Sequence, residues 1–257
     1  MFNPTDRRVV AIALLAALLG GGRALGQAPS EWPQHSMERP KPPVVDPGPF
    51  TRSPPPPSDA IVLFDGGSLM QWRKADTVEA TAGWKVENGY MEVVAGAGGV
   101  ETVRTFGDGQ LHIEWMSPSR PQGEGQNRGN SGIFFMGRYE VQVLDSHHNE
   151  TYADGQAASI YGQFPPLVNA SRVPGEWQGY DIVFRRPRFD AAGKLIRPAR
   201  ITLFHNGILV QDAVELLGPT SNQRRAPYEA HPDKLPIMLQ DHGHPVRFRN
   251  IWFRAFD

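Results

Sequence analysis

Three short stretches set groups capable of proton transfer beside groups that read hydroxyls. In Tyr139–Asp145 polar and apolar residues alternate, so an extended chain projects Glu140 and Gln142 to one side and Val141 and Val143 to the other. Gln110–Met116 repeats the pattern, with His112 and Glu114 opposite Leu111, Ile113 and Trp115. Ile237–His242 places Gln240 and His242 against Ile237 and Leu239. An imidazole titrates near neutral pH and environment can tune a carboxyl toward it, which makes His242, Glu140 and Glu114 candidate acids and bases. A groove lined by Glu, Gln, His and Trp suits a polyhydroxylated ligand: planar polar groups bond hydroxyls and a flat indole packs on a ring. The same alternation also describes a sheet face turned to solvent.

Other chemistries find less support. Glu114, Glu140, Asp145 and His242 together would form an oxygen-rich set suited to Ca²⁺ or Mg²⁺. There is no His-Glu-x-x-His pair and no Asp-rich calcium loop, so the sequence demands no cofactor and leaves a divalent cation as an option. His147, His148 and Glu150 fall in a loop, where adjacent histidines are more often solvated than chelating. The absence of cysteine excludes disulfides, thiolate metal sites and a Cys nucleophile. Ser131 lacks the Gly-x-Ser-x-Gly frame of a nucleophile elbow. No glycine-rich stretch follows a strand and opens a helix, so nucleotide binding has no support in the sequence. A net charge of −1 gives no reason to expect nucleic acid or an acidic membrane surface as partner.

The elements that must position these residues are strands. Eleven short runs recur between Ala60 and Phe253, separated mostly by Gly, Pro, Asn or Asp, with no helical period of comparable strength. With 27 Gly and 24 Pro in 257 residues, this predicts an all-β sandwich or barrel. Ile201–His205 and Ile208–Gln211 flank Asn206-Gly207, the pair that accepts the positive φ of a type I′ hairpin turn. Upstream, Arg7-Arg8, the apolar run Val9–Leu19, itself too short to span a bilayer, and small residues to Gly26 read as a signal peptide over 1–26. The mature protein is therefore expected to be exported, periplasmic or secreted, with no integral membrane segment. Eleven prolines between Pro29 and Pro57 predict an extended linker or strap over 27–58, followed by the β domain at 59–257.

Several segments of that domain, taken in order, resemble one family. They are Leu63-Phe64-Asp65-Gly66 with Trp72; Asn130–Phe135; Tyr139–Asp145; Ile160-Tyr161-Gly162; Gly175-Glu176-Trp177; His205-Asn206-Gly207; and Leu239–Gly243 followed by Phe248–Ile251. The set is similar to the 3-keto-disaccharide hydrolase family, also described as a 3-keto-glucoside 1,2-lyase and 3-keto-2-hydroxyglucal hydratase domain, from about Ile61 to Phe256. The resemblance implies a concanavalin-like jelly-roll sandwich acting on an oligosaccharide or keto-sugar glycoside. Two departures stand out. Arg185–Arg200 is longer than a tight strand connection needs and suggests a loop over one end of the sandwich. Gln178 also follows Trp177 where the pattern leads one to expect Asn.

The activity implied by the resemblance breaks a glycosidic bond next to a C3 ketone. A base removes the acidified C2 proton, the enolate expels the C1 oxygen, and water adds to the resulting 2-hydroxyglycal. This assigns proton transfer to His242, with Glu140 and Glu114 as further acid–base or hydroxyl-orienting groups and Arg138 at the ketone or enolate oxygen. Asn130, Gln142, Asp145 and Gln240 would read hydroxyls, and Tyr161 or Trp177 would stack on the ring. Two rival functions fit the same residues: a non-catalytic lectin-like module, and a conventional glycoside hydrolase. The latter requires Glu114 and Glu140 to face one another at about 5–5.5 Å or 6.5–9.5 Å.

Overall fold

The computed structural model describes residues 32–51, 55–77, 79–222 and 225–256. The expected signal peptide lies outside the described residues. Wherever the sequence alternates with period two, the chain is extended, and the apolar set of each strand turns inward. The larger sheet runs, in spatial order, β13 (Ile208–Glu215), β12 (Arg200–His205), β9 (Gln178–Arg185), β6 (Gly109–Met116), β15 (Arg247–Ala255), β4 (Tyr90–Glu92) and β3 (Lys85–Glu87), with β1 (Ile61–Phe64) also paired to β15. The smaller sheet runs β2 (Trp72–Lys74), β5 (Val100–Thr102), β14 (Met238–Leu239), β7 (Ser131–Phe135) and β8 (Tyr139–Val143). A separate ribbon pairs β10 (Arg188–Phe189) with β11 (Leu195–Arg197). The fold is an all-β jelly-roll sandwich, and among the described residues no helix is long and apolar enough to cross a membrane.

The two sheets close on a core made by opposing strand faces. Leu111, Ile113 and Trp115 of β6 and Tyr180, Ile182 and Phe184 of β9 meet Ile133 and Phe135 of β7 and Tyr139, Val141 and Val143 of β8, all essentially inaccessible. Phe135 stacks on Phe184 with ring centroids 4.6 Å apart. The Tyr180 hydroxyl donates across the interior to the Gln142 carbonyl at 2.9 Å, satisfying a buried polar group on each sheet. Each such apolar side chain stabilises the fold by roughly 1.5–3 kcal/mol. Because one face of every central strand is spent on this core, the polar face of β6 points out of one side of the sandwich and the polar face of β8 out of the other.

The expected hairpin forms with His205 paired to Ile208, and Asn206 and Gly207 take φ of 53° and 82°. The proline-rich segment, where described, is a strap held to the domain. Val45 N donates to Asn169 O and Asn169 N to Pro43 O, both at 2.9 Å, and Arg172 Nε donates to Gly48 O at 3.0 Å. Arg39 reaches Gln163 O at 3.1 Å and lies 3.9 Å from Asp154. Arg185–Arg200 contains the β10–β11 ribbon, turned at Asp190–Gly193, where Asp190 Oδ1 accepts from Ala192 N and Lys194 N.

Candidate active site

The outward face of the smaller sheet carries a cleft of about 320 Å³. Strand β8 supplies Glu140 and Gln142 and β7 supplies Phe134, while the chain leaving β14 adds Gln240 and His242. Gln240 continues the ladder: its N donates to Gly132 O at 3.0 Å, and Ser131 Oγ donates to Gln240 O at 2.7 Å. Asn130 precedes β7, and Tyr161 comes from a loop paired to the free edge of β8, where Gln142 N donates to Ser159 O at 3.0 Å. Thr220, Ser221 and Asn222 close the opposite rim. Thr220 Oγ1 accepts from Glu140 N at 2.9 Å, and Thr220 N donates to Arg138 O at 2.8 Å.

Glu140 is the chemically unusual member. Its side chain is buried, no lysine or arginine among the described residues lines the cleft, and burial alone pushes its pKa from 4.5 up to about 8. Room for the carboxyl comes from Gly132 on the neighbouring strand: a Cβ there would collide with Glu140 Oε1 and come within 2.8 Å of Phe134 Cε2. The Gln142 amide serves either of two partner sets. In one orientation Nε2 donates to Gln126 Oε1 at 2.9 Å and to Gly155 O at 3.3 Å; in the other it donates to Ser131 O at 2.9 Å and to Glu140 Oε1 at 3.2 Å. The second orientation gives an ionised Glu140 a donor.

His242 stands at the exposed rim, its ring stacked on His244 with centroids 5.6 Å apart. Partial desolvation and the neighbouring His244 lower its pKa below 6.5. The cleft therefore pairs a carboxyl that keeps its proton at neutral pH with an imidazole that has lost one. Tyr161 contributes a hydroxyl bonded to Tyr152 at 2.7 Å and to Asn222 Oδ1 at 3.2 Å, and burial raises its pKa. The strap reaches this rim, where His35 stacks on Tyr152 at 4.2 Å and Gln34 Nε2 donates to Ser221 O at 2.5 Å.

Of the ten residues singled out by sequence, six line the cleft: Asn130, Glu140, Gln142, Tyr161, Gln240 and His242. Four lie elsewhere. Glu114 belongs to the outer face of the larger sheet, where Arg249 Nε donates to it at 2.6 Å and Asn250 Nδ2 at 3.0 Å. Trp177 is on that side too, with the Arg249 guanidinium 3.9 Å from its ring centroid. Burial would lower the pKa of the nearby His112, but Asp181 and Glu114 outweigh it and raise it to about 9. Asp145 is buried and gripped by Arg128, whose Nε lies 3.0 Å from Oδ2, so it braces a loop rather than facing the cleft. Arg138 occupies the β7–β8 turn and is not among the lining residues. Glu114 and Glu140 thus project from opposite faces with the core between them, so the facing carboxylate pair of a conventional glycoside hydrolase does not form. The set Glu114, Glu140, Asp145 and His242 likewise does not converge, and among the described residues no three His, Cys, Asp or Glu side chains are grouped to hold a metal ion. Gln178 is buried in a structural network, accepting from Arg172 N at 3.0 Å and contacting His205 Nε2 at 2.9 Å.

A jelly-roll sandwich with an amide-lined cleft on one sheet defines a class of carbohydrate-active domain, and comparison with known proteins agrees. The model of the 3-keto-alpha-glucoside-1,2-lyase-like domain matches residues 59–254, and the chain belongs to that family. A solved structure of a proposed glycosyl hydrolase from Parabacteroides distasonis ATCC 8503 shares 41% identity, covering 80% of this chain and 94% of that one with a TM-score of 0.74. The 3-keto-disaccharide hydrolase of Bacteroides thetaiotaomicron is 23% identical over 244 residues, 77% of this chain and 78% of that protein. A second P. distasonis structure, at 19% identity and a TM-score of 0.55 over 77% of this chain and 99% of that one, shares the fold.

Proposed function

We propose that the protein is an exported enzyme that cleaves 3-keto glycosides by elimination and hydration in the Glu140–His242 cleft. The observation that carries this reading is a buried, proton-retaining Glu140 sharing an amide-lined cleft with a neutral imidazole. Two titratable groups with pKa values pushed to opposite sides of neutrality supply an acid and a base together. His242 takes the C2 proton, and the C–H electron pair forms the enolate of the C3 ketone. The Gln240 amide steadies the enolate oxygen, since no guanidinium of the described residues lines the cleft. The enolate collapses to a C1–C2 double bond and expels the glycosidic oxygen, which takes its proton from Glu140.

The second half restores both groups. Glu140, now ionised and accepting from Gln142, draws a proton from water as its oxygen adds to C1. The His242 imidazolium returns a proton to C2. The net change is hydrolysis, with no group left in the wrong protonation state.

The test incubates the purified chain with p-nitrophenyl glucoside and with its 3-keto derivative. Nitrophenol release from the keto compound alone, with C2 deuterium retarding it, is the expected result. Release from both substrates equally refutes the elimination route, and release from neither leaves a carbohydrate-binding module. Export rests on the 1–26 segment and is checked by N-terminal sequencing of the protein recovered outside the cytoplasm.

A further inference from the structure

The β10–β11 ribbon and the ends of β9 and β12 build a second polar pocket, of about 280 Å³, that shares no lining residue with the catalytic cleft. Five arginines line it, Arg185, Arg186, Arg188, Arg197 and Arg200, against two carboxylates, Asp108 and Glu215. The strand register makes this arrangement unfavourable as it stands. Arg188 is paired directly with Arg197 across the ribbon, and Arg185 directly with Arg200 across β9 and β12. Like charges at directly opposed positions destabilise a ladder.

The carboxylates do not neutralise it. Asp108 is fully engaged: Oδ1 accepts from Arg186 N at 2.9 Å, and Oδ2 takes Arg188 Nη2 at 2.8 Å and Arg185 Nη1 at 3.3 Å. Arg186 also bridges to Asp233. Arg197 and Arg200 have guanidinium groups that form no ion pair or hydrogen bond among the described residues, although Glu215 is opposite Arg200 in the ladder. Arg188 keeps a buried Nη1 with no hydrogen-bond partner among the described residues. An unused, buried guanidinium donor beside two free guanidinium forks is a site short of acceptor oxygens.

We infer that this pocket binds an oxyanion, carried as the carboxylate or sulfate ester of an acidic polysaccharide or free as sulfate or phosphate. Several acceptor oxygens on one centre suit the exposed forks of Arg197 and Arg200, and the charge relieves both arginine pairs. The site gives the domain a second, charge-reading contact apart from the neutral cleft.

The test measures thermal stabilisation and calorimetric affinity for sodium sulfate and sodium phosphate, with ionic strength matched by NaCl. Retention on polygalacturonate is compared with retention on uncharged dextran. The wild type and the Glu140→Gln variant should respond alike, which separates this site from the catalytic reading. The Arg197→Gln/Arg200→Gln variant changes two exposed side chains without partners and should fold normally, yet lose about tenfold or more in anion affinity. Selective polygalacturonate retention identifies a polymer-borne anion and saturable binding of the free salts a small one; either supports the inference. No anion-specific response at matched ionic strength, or an unchanged response in the double variant, overturns it.

Discussion

Replacing Glu140 by Gln should make the protein more stable at mildly alkaline pH while disabling it. The folded carboxyl holds its proton up to about pH 8, whereas the unfolded chain releases it near 4.5. Below pH 4.5 both states are protonated and the group adds no pH dependence. Between 4.5 and 8 the unfolded state ionises alone, so wild-type stability falls by about 1.4 kcal/mol per pH unit, and above 8 the loss levels off. Over the whole interval this comes to about 5 kcal/mol, an upper value because local water entry relaxes the folded state. Glutamine keeps the shape and cannot ionise, so the variant escapes the loss. In a chain of this size each kcal/mol moves the melting temperature by roughly 2–4 °C. Urea unfolding of both proteins at pH 5, 6.5 and 8 gives the difference directly: under about 1 kcal/mol at pH 5, growing in favour of Gln as pH rises. Turnover of a 3-keto glycoside should drop by about 10²–10⁴ in the same variant. A stability difference that does not change with pH would show that Glu140 ionises normally and would remove it as the proton donor.

Gly132→Ala should lower kcat/KM by about 10²-fold by driving the Glu140 carboxyl aside, and cost about 1–3 kcal/mol of stability. Combining it with Glu140→Ala should recover most of the stability cost, as a double-mutant cycle by denaturation will show. The pH profile of kcat/KM should be a bell, rising as His242 loses its proton below pH 6.5 and falling as Glu140 ionises near 8. In His242→Ala the acid limb should vanish together with most of the rate, and a retained limb would assign it to another group. Glu114→Gln should leave turnover within twofold, since it lies on the far face, while weakening the Arg249 pair enough to lower the melting temperature.

Much of this site was legible in the primary structure because side chains alternate across a strand. Period two alone separates Glu140 and Gln142 from Val141 and Val143, and Gln240 and His242 from Ile237 and Leu239, and the cleft uses both separations. The same rule separates His112 and Glu114 from Leu111, Ile113 and Trp115, but alternation within a strand carries no information about which sheet the strand joins. Glu114 therefore looked like a partner for Glu140 until topology placed β6 in the larger sheet. Thr220, Ser221 and Asn222 were missed for a different reason. They sit in an irregular segment whose place is fixed by the Thr220 contacts to β8, which no local pattern announces. The burial that raises the Glu140 pKa is likewise tertiary, since it depends on the loops that roof an otherwise open face.

The strap also settles where attachments to this domain can go. Gln34 and His35 dock on the rim at Ser221, Tyr152 and Tyr161, so any bulk attached to the strap beside Gln34 stands at the mouth of the cleft. At the other terminus, Phe256 is tied by its N–H to the Asp108 carbonyl, next to the arginine ribbon. On the two proposed readings, bulk attached beside Gln34 obstructs turnover and spares anion capture, and bulk attached beside Phe256 does the reverse.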